Sequence, residues 1–456
     1  MSLFDIFKPA PHIEEIQDEQ IVKKKYKYWR LRTFYGIYIG YAFYYFTRKS
    51  FSIAMPAMQE ALGMNKIELG LLASILYISY GASKFLSGIL GDKSNPRYFM
   101  SIGLILTGIF NFLFGLSSVW WSFAIFWGLN GCFQGWGSPG CAKLLTHWYS
   151  QSERGRWWGF WNTSHNIGGV LTSYLVAGCI GCFGWRSAMY VPGCLCIGVG
   201  LFIMNRLRDT PQSLGLPSIE KFRNDYPSQK QTTVQGSLPV KEILVKYILR
   251  NKFMWILGFS YFFIYVIRTG INEWSLFYLI EVKKYTYFQA VICISSFEVG
   301  GACGALSAGW MSDFLFQGKR NPVNVIFTFG VFISLLCFKM TMITFPIFDM
   351  FFIFLFGFFI FGPQMLIGIA AAELSHKNAV ATATGFVGIF AYAGAAFAGG
   401  PLGAITKNWG WDGFFMSLTG CTILALFLLT PLWSVKTNPE ETPNLSDPLI
   451  DPIKEE

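Results

Sequence analysis

Two arginines stand in stretches that are otherwise apolar. Arg48 lies about 15 residues into a hydrophobic segment beginning near residue 33, and Arg268 lies equally deep in one beginning near 253. They are 220 residues apart. A guanidinium stays charged at any physiological pH and presents a planar fork of N–H donors. A charge at the centre of a membrane segment costs about 2.5–3.5 kcal/mol, so such a residue reads as functional by default. Two of them at roughly 8 Å, with an effective dielectric near 20, repel by about 2 kcal/mol. A bound anion removes that repulsion. Phosphate accepts a bidentate pair from each guanidinium, at about 1.5–3 kcal/mol for each charge-assisted bond. The competing reading pairs each arginine with a protein acid. Glu273 and Glu298 are candidates for Arg268, while no acid stands beside Arg48 in its segment.

Other polar residues share these segments. Lys84 either adds positive field to a cavity or pairs with an acid. Lys49 points about 100° around the helix from Arg48, and both a cavity and a packing role are open to it. His165, in Asn162-Thr-Ser-His165-Asn166, either tracks the charge of a phosphate, whose second pKa is close to that of imidazole, or is a hydrogen-bonded core histidine. Tyr41, Tyr44, Tyr45, Tyr80, Tyr265 and Tyr392 offer ring faces and hydroxyls, some to a cavity and some to packing. The cysteines, including Cys179-x-x-Cys182, have no second pair or histidine cluster at zinc spacing, so no metal and no cofactor is expected. No nucleotide loop or nucleophile motif suggests an enzyme.

The elements that must position these residues are membrane helices. Of 456 residues, 53% are hydrophobic, 18% aromatic and only 14% charged, with a mean hydropathy of +0.41. From Tyr98 to Ala142 there is no Asp, Glu, Lys or Arg; the same holds for Trp157–Trp185, Met350–Ala372, Asn378–Thr406 and Gly413–Val435. About 20 apolar residues cross a bilayer. This excludes a soluble enzyme, a nucleic-acid-binding domain, and a β-barrel of short alternating strands. Twelve helical spans are expected: 33–56, 69–91, 98–117, 119–143, 157–181, 186–205, 253–280, 288–311, 323–343, 348–372, 379–404 and 411–434. The net charge of +10 is concentrated before the first span and in the middle loop. That is the positive-inside pattern, giving N-in, C-in topology; an anionic-lipid patch is the lesser alternative. No secretory signal peptide is expected. The organisation is 1–28 cytoplasmic segment, 29–205 first six-helix bundle, 206–252 cytoplasmic linker, 253–434 second bundle, and 435–456 tail.

The halves repeat. Gly88-Ile-Leu-Gly-Asp92-Lys-Ser-Asn-Pro-Arg97 after the second span matches Gly309-Trp-Met-Ser-Asp313 with Lys319-Arg320 after the eighth, and the two aspartates are 221 residues apart. Gly184-Trp185 matches Gly410-Trp411. A two-fold repeat of six spans is a transporter architecture with its site between the halves near the midplane. With the Gly-x-x-x-Asp loop repeated in both halves and followed by Arg97 in the first and Arg320 in the second, the chain resembles the major facilitator superfamily: an all-α polytopic fold with 6+6 pseudo-two-fold symmetry. Asp92, Arg97, Asp313 and Arg320 then read as conformational latches between helix ends.

A narrower resemblance rests on Tyr44-Tyr-Phe-Thr-Arg48-Lys-Ser-Phe, Tyr80-Gly-Ala-Ser-Lys84-Phe, His147-Trp-Tyr-Ser-Gln-Ser-Glu-Arg-Gly155, Trp161-Asn-Thr-Ser-His165-Asn-Ile-Gly-Gly169, Arg208-Asp-Thr-Pro-Gln-Ser-Leu-Gly-Leu-Pro217 and Arg268-Thr-Gly-Ile-Asn-Glu-Trp274. Over nearly the whole chain it is similar to the organophosphate:phosphate antiporters. The resemblance implies that Arg48 and Arg268 grip phosphate with His165 beside it. It also implies that Lys84, Glu273 and Glu298 make charge contacts that rearrange, that Tyr41 lines the site, and that other tyrosines gate it. Phe361 stands where the glycerol-phosphate branch has Tyr, and Ser138-Pro-Gly140 replaces its Trp-Pro-Pro; both changes are expected on the non-phosphate side. The pattern is closer to the hexose-6-phosphate members.

The expected function is exchange of a sugar phosphate, foremost glucose-6-phosphate, for inorganic phosphate by alternating access. The setting is the bacterial inner membrane and the unit a functional monomer, with the bilayer and no nucleic acid as partner. The alternatives are a membrane sensor of external hexose phosphate, a glycerol-3-phosphate:phosphate antiporter, and a proton symporter coupled through Glu298 or Glu373.

Overall fold

The structure is a computed structural model that describes residues 7–225, 248–340, 345–375 and 380–435, without the side chains of Phe85, Ile89, Asp92, Lys93, Val380 and Ala381. The first half is α1 (Glu19–Leu62), α2 (Lys66–Lys93), α3 (Pro96–Leu116), α4 (Trp120–Gln134), α5 (Gly137–Trp148), α6 (Gln151–Phe183) and α7 (Ser187–Arg206). A short α8 (Ile219–Arg223) follows. The second half is α9 (Lys252–Glu281), α10 (Tyr287–Trp310), α11 (Arg320–Met340), α12 (Pro346–Glu373), α13 (Val380–Phe397) and α14 (Gly400–Leu429).

Short turns make successive helices antiparallel. Asn65 with Glu68, Ser150 with Glu153, and Thr286 with Gln289 each form a capping box that starts the next helix; each box satisfies orphan N–H groups at a helix start. We call the end of the bundle where α1 begins the terminal face. The opposite end, with the turns at 63–65, 184–186 and 282–286, is the far face. Asp18 caps α1, its carboxylate accepting from the Gln20 and Ile21 amides at 2.8 and 3.2 Å. The helix therefore starts inside the basic segment, well before the apolar run expected at 33–56.

Nine stretches among the described residues are long and apolar enough to cross a membrane. The rest of the expected twelve have readable causes. The apolar part of α1 carries Arg48 and Lys49. The stretch expected at 119–143 is broken at Gly135–Trp136 into α4 and α5. The last two expected spans run together as Thr382–Leu432, although Gly410 breaks the helical path. Gly184 and Gly410, equivalent in the repeat, both have positive φ, 78° and 65°, with an extended ψ of 174° and −166°. Both turn the chain at the far face just before a tryptophan. A Cβ at this φ costs about 1–2 kcal/mol.

The halves meet from mid-depth to the far face. Lys66 Nζ pairs with Glu281 at 2.6 Å, and Tyr287 donates to the Ile53 carbonyl. Ser74 Oγ donates to Ala396 O at 2.5 Å and accepts from the Gly400 amide at 2.8 Å. Gly70 and Gly399 let α2 approach the α13–α14 bend backbone to backbone, since a Cβ on either would strike the other's carbonyl.

At the terminal face, Arg320 bonds Asp313 at 2.5 Å and Glu373 at 3.1 Å, tying the ends of three C-terminal-half helices. Its counterpart behaves differently. The Asp92 side chain lies outside the described residues, and Arg97 donates through Nε to Met204 O at 2.6 Å, which ties α3 to α7. The described part of the linker packs on the first half. Tyr26 stacks on Phe222 at 4.0 Å and donates to Pro217 O, while the Ile13 and Ile16 amides donate to Gln212 O and Gly215 O.

The Gly410 turn yields a stability test. Nothing lies within 4 Å of a Cβ added at Gly410 or at the helical Gly420. Gly410→Ala should therefore lose about 1–2 kcal/mol through backbone strain alone, read as a lower thermal unfolding midpoint in detergent. Gly420→Ala should be neutral or slightly stabilising.

Candidate functional site

A cavity of about 790 Å³ of space free of protein atoms, counting its open mouth, lies between the halves. The first half contributes Tyr41, Tyr45, Arg48 and Lys49 from α1, Tyr77, Tyr80 and Lys84 from α2, and Asn162 and His165 from α6. The second half contributes Tyr265, Arg268, Asn272 and Glu273 from α9, Glu298 from α10, Gln364 from α12 and Tyr392 from α13. Of the residues that the sequence nominated for binding or coupling, all but Glu373 and Tyr44 are in this wall; Glu373 pairs with Arg320 at the terminal face instead.

Arg48 is held by its faces and one edge. Its guanidinium carbon lies 4.6 Å from the Tyr45 ring centroid and 4.4 Å from that of Tyr80. Gln134 Oε1 accepts from Nε at 3.3 Å and from an Nη at 3.1 Å. The Gln134 amide is itself fixed, donating to Tyr44 O and Thr47 Oγ1. Arg268 lies 5.0 Å from the Phe361 ring and 5.8 Å from Tyr265. Its Nε is buried without a hydrogen-bond partner. Cation–π contacts of this kind contribute about 0.5–2 kcal/mol each and leave N–H edges available. Among the described residues, neither arginine has a carboxylate partner.

The nearby acids are engaged elsewhere. Glu298 pairs with Lys49 at 2.5 Å, with both side chains buried, and its other oxygen accepts from Asn166 Nδ2 at 3.1 Å. Glu273 accepts from Tyr77 at 2.6 Å and from Asn272 at 3.2 Å. Glu273 and Glu298, the two candidate partners for Arg268, therefore bridge the halves instead. Lys84 faces the cavity and donates to the Tyr392 hydroxyl at 3.0 Å, and the Tyr80 and Tyr392 rings meet edge to face. Four cations and two carboxylates leave the cavity wall with a net charge of +2. A phosphate monoester carries about −1.5 to −2 near neutral pH.

His165 stacks parallel to Phe361, with centroids 5.9 Å apart and planes at 8°, and its Nε2 is buried without a partner. Tyr41 packs against Trp161 at 4.7 Å. Tyr44 is a packing residue, fully buried and donating to Met100 O at 2.8 Å. Two expectations about position change. Phe361 is not on a side remote from the cations: its ring lies against Arg268 and His165. Ser138-Pro-Gly140 lies outside the cavity wall, where Pro139 and Gly140 approach Gly91 and Met100.

Sequence reasoning missed Tyr77, Asn272, Gln364 and the supporting Gln134. Gln364 had a signal. It is the one amide in the charge-free stretch Met350–Ala372, directly after Pro363, and its Oε1 is buried without a partner.

Comparison with known proteins agrees with this geometry. Residues 37–399 match the family model of the Major Facilitator Superfamily. The probable hexose phosphate transport protein of Chlamydia trachomatis is 55% identical over 439 residues, 94% of this chain and 96% of that protein. The membrane sensor protein UhpC of Escherichia coli is 47% identical, covering 92% and 96%. The glycerol-3-phosphate transporter of Bacillus subtilis is 41% identical, covering 95% and 98%. Among solved structures, a bacterial homolog of the human lysosomal transporter Spinster, inward-facing and unoccupied, shares the fold at a TM-score of 0.69 and 14% identity, covering 88% of this chain and 96% of that one. With two halves related by repeat, a cation from each in one cavity, and relatives matched nearly end to end, the chain belongs to the major facilitator superfamily and, within it, to the organophosphate:phosphate antiporter family.

Proposed function

We propose that this membrane protein exchanges a sugar phosphate, foremost glucose-6-phosphate, for inorganic phosphate across a bacterial inner membrane. The chain crosses the bilayer twelve times with both ends in the cytoplasm, so the terminal face is cytoplasmic. The observation that carries the reading is the pair Arg48 and Arg268. They come from different halves, line one cavity and, among the described residues, have no carboxylate partner, while the acids around them are taken by Lys49, Asn166, Tyr77 and Asn272. Names of relatives support the cargo class. The bonds between the halves, running from Lys84–Tyr392 to Lys66–Glu281, support a state closed on the far side.

Transport follows from charge. A dianion between the arginines offsets their repulsion and draws the halves together. Without one, closure on the cytoplasmic side is opposed. Each inward or outward step thus requires a phosphate group, and phosphate on one side drives sugar phosphate from the other. Lys49–Glu298 and Tyr77–Glu273 hold the halves through bonds that must open when the far side opens. In this arrangement Glu298 is neutralised by Lys49 and Glu373 by Arg320, which disfavours either as the acid of a proton symporter.

The second reading is a membrane sensor of hexose phosphate, favoured by the similarity to UhpC. Its cavity would bind the same group. Binding of glucose-6-phosphate without phosphate counterflow would select it.

Purified protein in liposomes loaded with phosphate should take up labelled glucose-6-phosphate, and phosphate-free liposomes should not. Equally fast uptake into both would rule out obligatory exchange. Arg48→Lys or Arg268→Lys keeps the charge and loses the planar fork. Losing one charge-assisted bond, about 1.5–3 kcal/mol, should cut exchange at least tenfold, measured as initial counterflow rate.

Gln364 gives a separate test of the sugar end. Its unpartnered amide suits a sugar hydroxyl. Gln364→Ala should raise the KM for glucose-6-phosphate by roughly fivefold to tenfold, the size of one neutral hydrogen bond. Exchange of phosphate for phosphate should hardly change. A parallel loss of both activities would place Gln364 outside sugar recognition.

A further inference from the structure

A second group of arginines lies at the terminal-face rim of the first half. Arg32 on α1, Arg97 on α3 and Arg208 beyond α7 converge on the last turn of α7. Arg32 donates to Asn205 O at 3.1 Å and Oδ1 at 3.0 Å. Arg208 donates to the same Asn205 O at 2.9 Å and to Leu207 O at 2.7 Å. Arg97 donates through Nε alone, to Met204 O. Arg32 and Arg208 both lie over Trp29, at 4.7 and 4.9 Å. Arg206, the last residue of α7, lies over Phe202 with its Nε buried and without a partner among the described residues.

A structural account would have these side chains cap α7. A helix C-terminus supplies about half a negative charge, and three full positive charges meet it here. Among the described residues none of the four arginines has a carboxylate partner, whereas Arg30 nearby is paired with Glu153. The crowding is unfavourable: burial and the neighbouring Arg97 and Arg32 push the Arg208 guanidinium down from its ordinary pKa. Surplus positive charge kept in one place needs an anion.

The surroundings identify which one. The cluster borders the outer apolar surface, with Leu31 63%, Leu201 57% and Tyr28 52% exposed. Aromatic rings beside arginines at the end of an apolar span mark the headgroup level of a bilayer, and basic pockets between helix ends at that level bind anionic lipid headgroups. A soluble phosphate ester gains nothing from the apolar border, while acyl chains lie along it. We propose that Arg32, Arg97 and Arg208 form a site for the phosphate of an anionic phospholipid, at the rim between α1, α3 and α7.

The test uses the full-length protein purified in detergent with phosphatidylglycerol or phosphatidylcholine. Native mass spectrometry counts retained lipid, and thermal unfolding reads stabilisation. Phosphatidylglycerol should be retained and should raise the unfolding midpoint; phosphatidylcholine should do neither. One arginine near the headgroups is worth about fivefold, so Arg97→Gln/Arg208→Gln should lower retention more than tenfold. Lys24→Gln/Lys25→Gln, an equal charge loss at exposed positions of α1, should retain lipid as the parent does. Arg97→Lys/Arg208→Lys keeps the charge should the glutamine variant not fold, and should retain lipid at an intermediate level. Retention unchanged in both arginine variants would overturn the proposal. So would full displacement of phosphatidylglycerol by millimolar inorganic phosphate, which would mark a free-anion site.

Discussion

The site depends on two permanent positive charges that have no carboxylate partner among the described residues. Arg48 and Arg268 belong to separate halves, and aromatic rings hold them by their faces. Ring faces stabilise a guanidinium without consuming its donors, which is what a transient ligand requires. An acid in the same place would bind the arginine permanently and compete with the cargo. The two acids that sequence reasoning set beside Arg268 are instead committed to Lys49 and Tyr77.

Those commitments bridge the halves, so the cavity and the conformational equilibrium share residues. Lys49–Glu298 and Tyr77–Glu273 lie in the cavity wall, while Ser74, Gly399 and the Lys66–Glu281 pair hold the far side. The backbone approach of Gly70 and Gly399 needs no side-chain ordering. Apolar residues of both halves, Leu72 and Trp274 among them, belong to one buried cluster, so opening the far side parts packed side chains as well as polar contacts.

Much of this was legible in the chain. The charge-free stretches gave the helices, and the 220-residue spacing of the arginines placed both at one depth. Equivalence of Gly184 and Gly410 became a shared backbone conformation. What the sequence left open depended on rotation about helix axes and on the relative position of the halves. The partner of Lys49 lies on the other half, 249 residues away, and no local pattern reports it. Phe361 was expected away from the cations only from its correspondence to a Tyr in a related branch, and no local pattern reported that its ring faces Arg268 and His165. Gln364 was visible as a lone amide in an apolar run, yet nothing local showed that it faced the cavity. The basic residues at the terminal face read as a topology signal; only the fold separates Arg30, which has an acid, from Arg32, Arg97 and Arg208, which have none among the described residues.

The central claim is that a dianion shared by Arg48 and Arg268 draws the halves together. A distance measurement across the terminal face tests it most directly. Spin labels at the exposed positions Gln151 and Gln317, one on each half, report that separation with and without inorganic phosphate. The account predicts that phosphate shifts the distribution to shorter distances in the parent protein and leaves it unchanged in an Arg268→Gln background. An unchanged distribution in the parent, or the same shortening without Arg268, would contradict it.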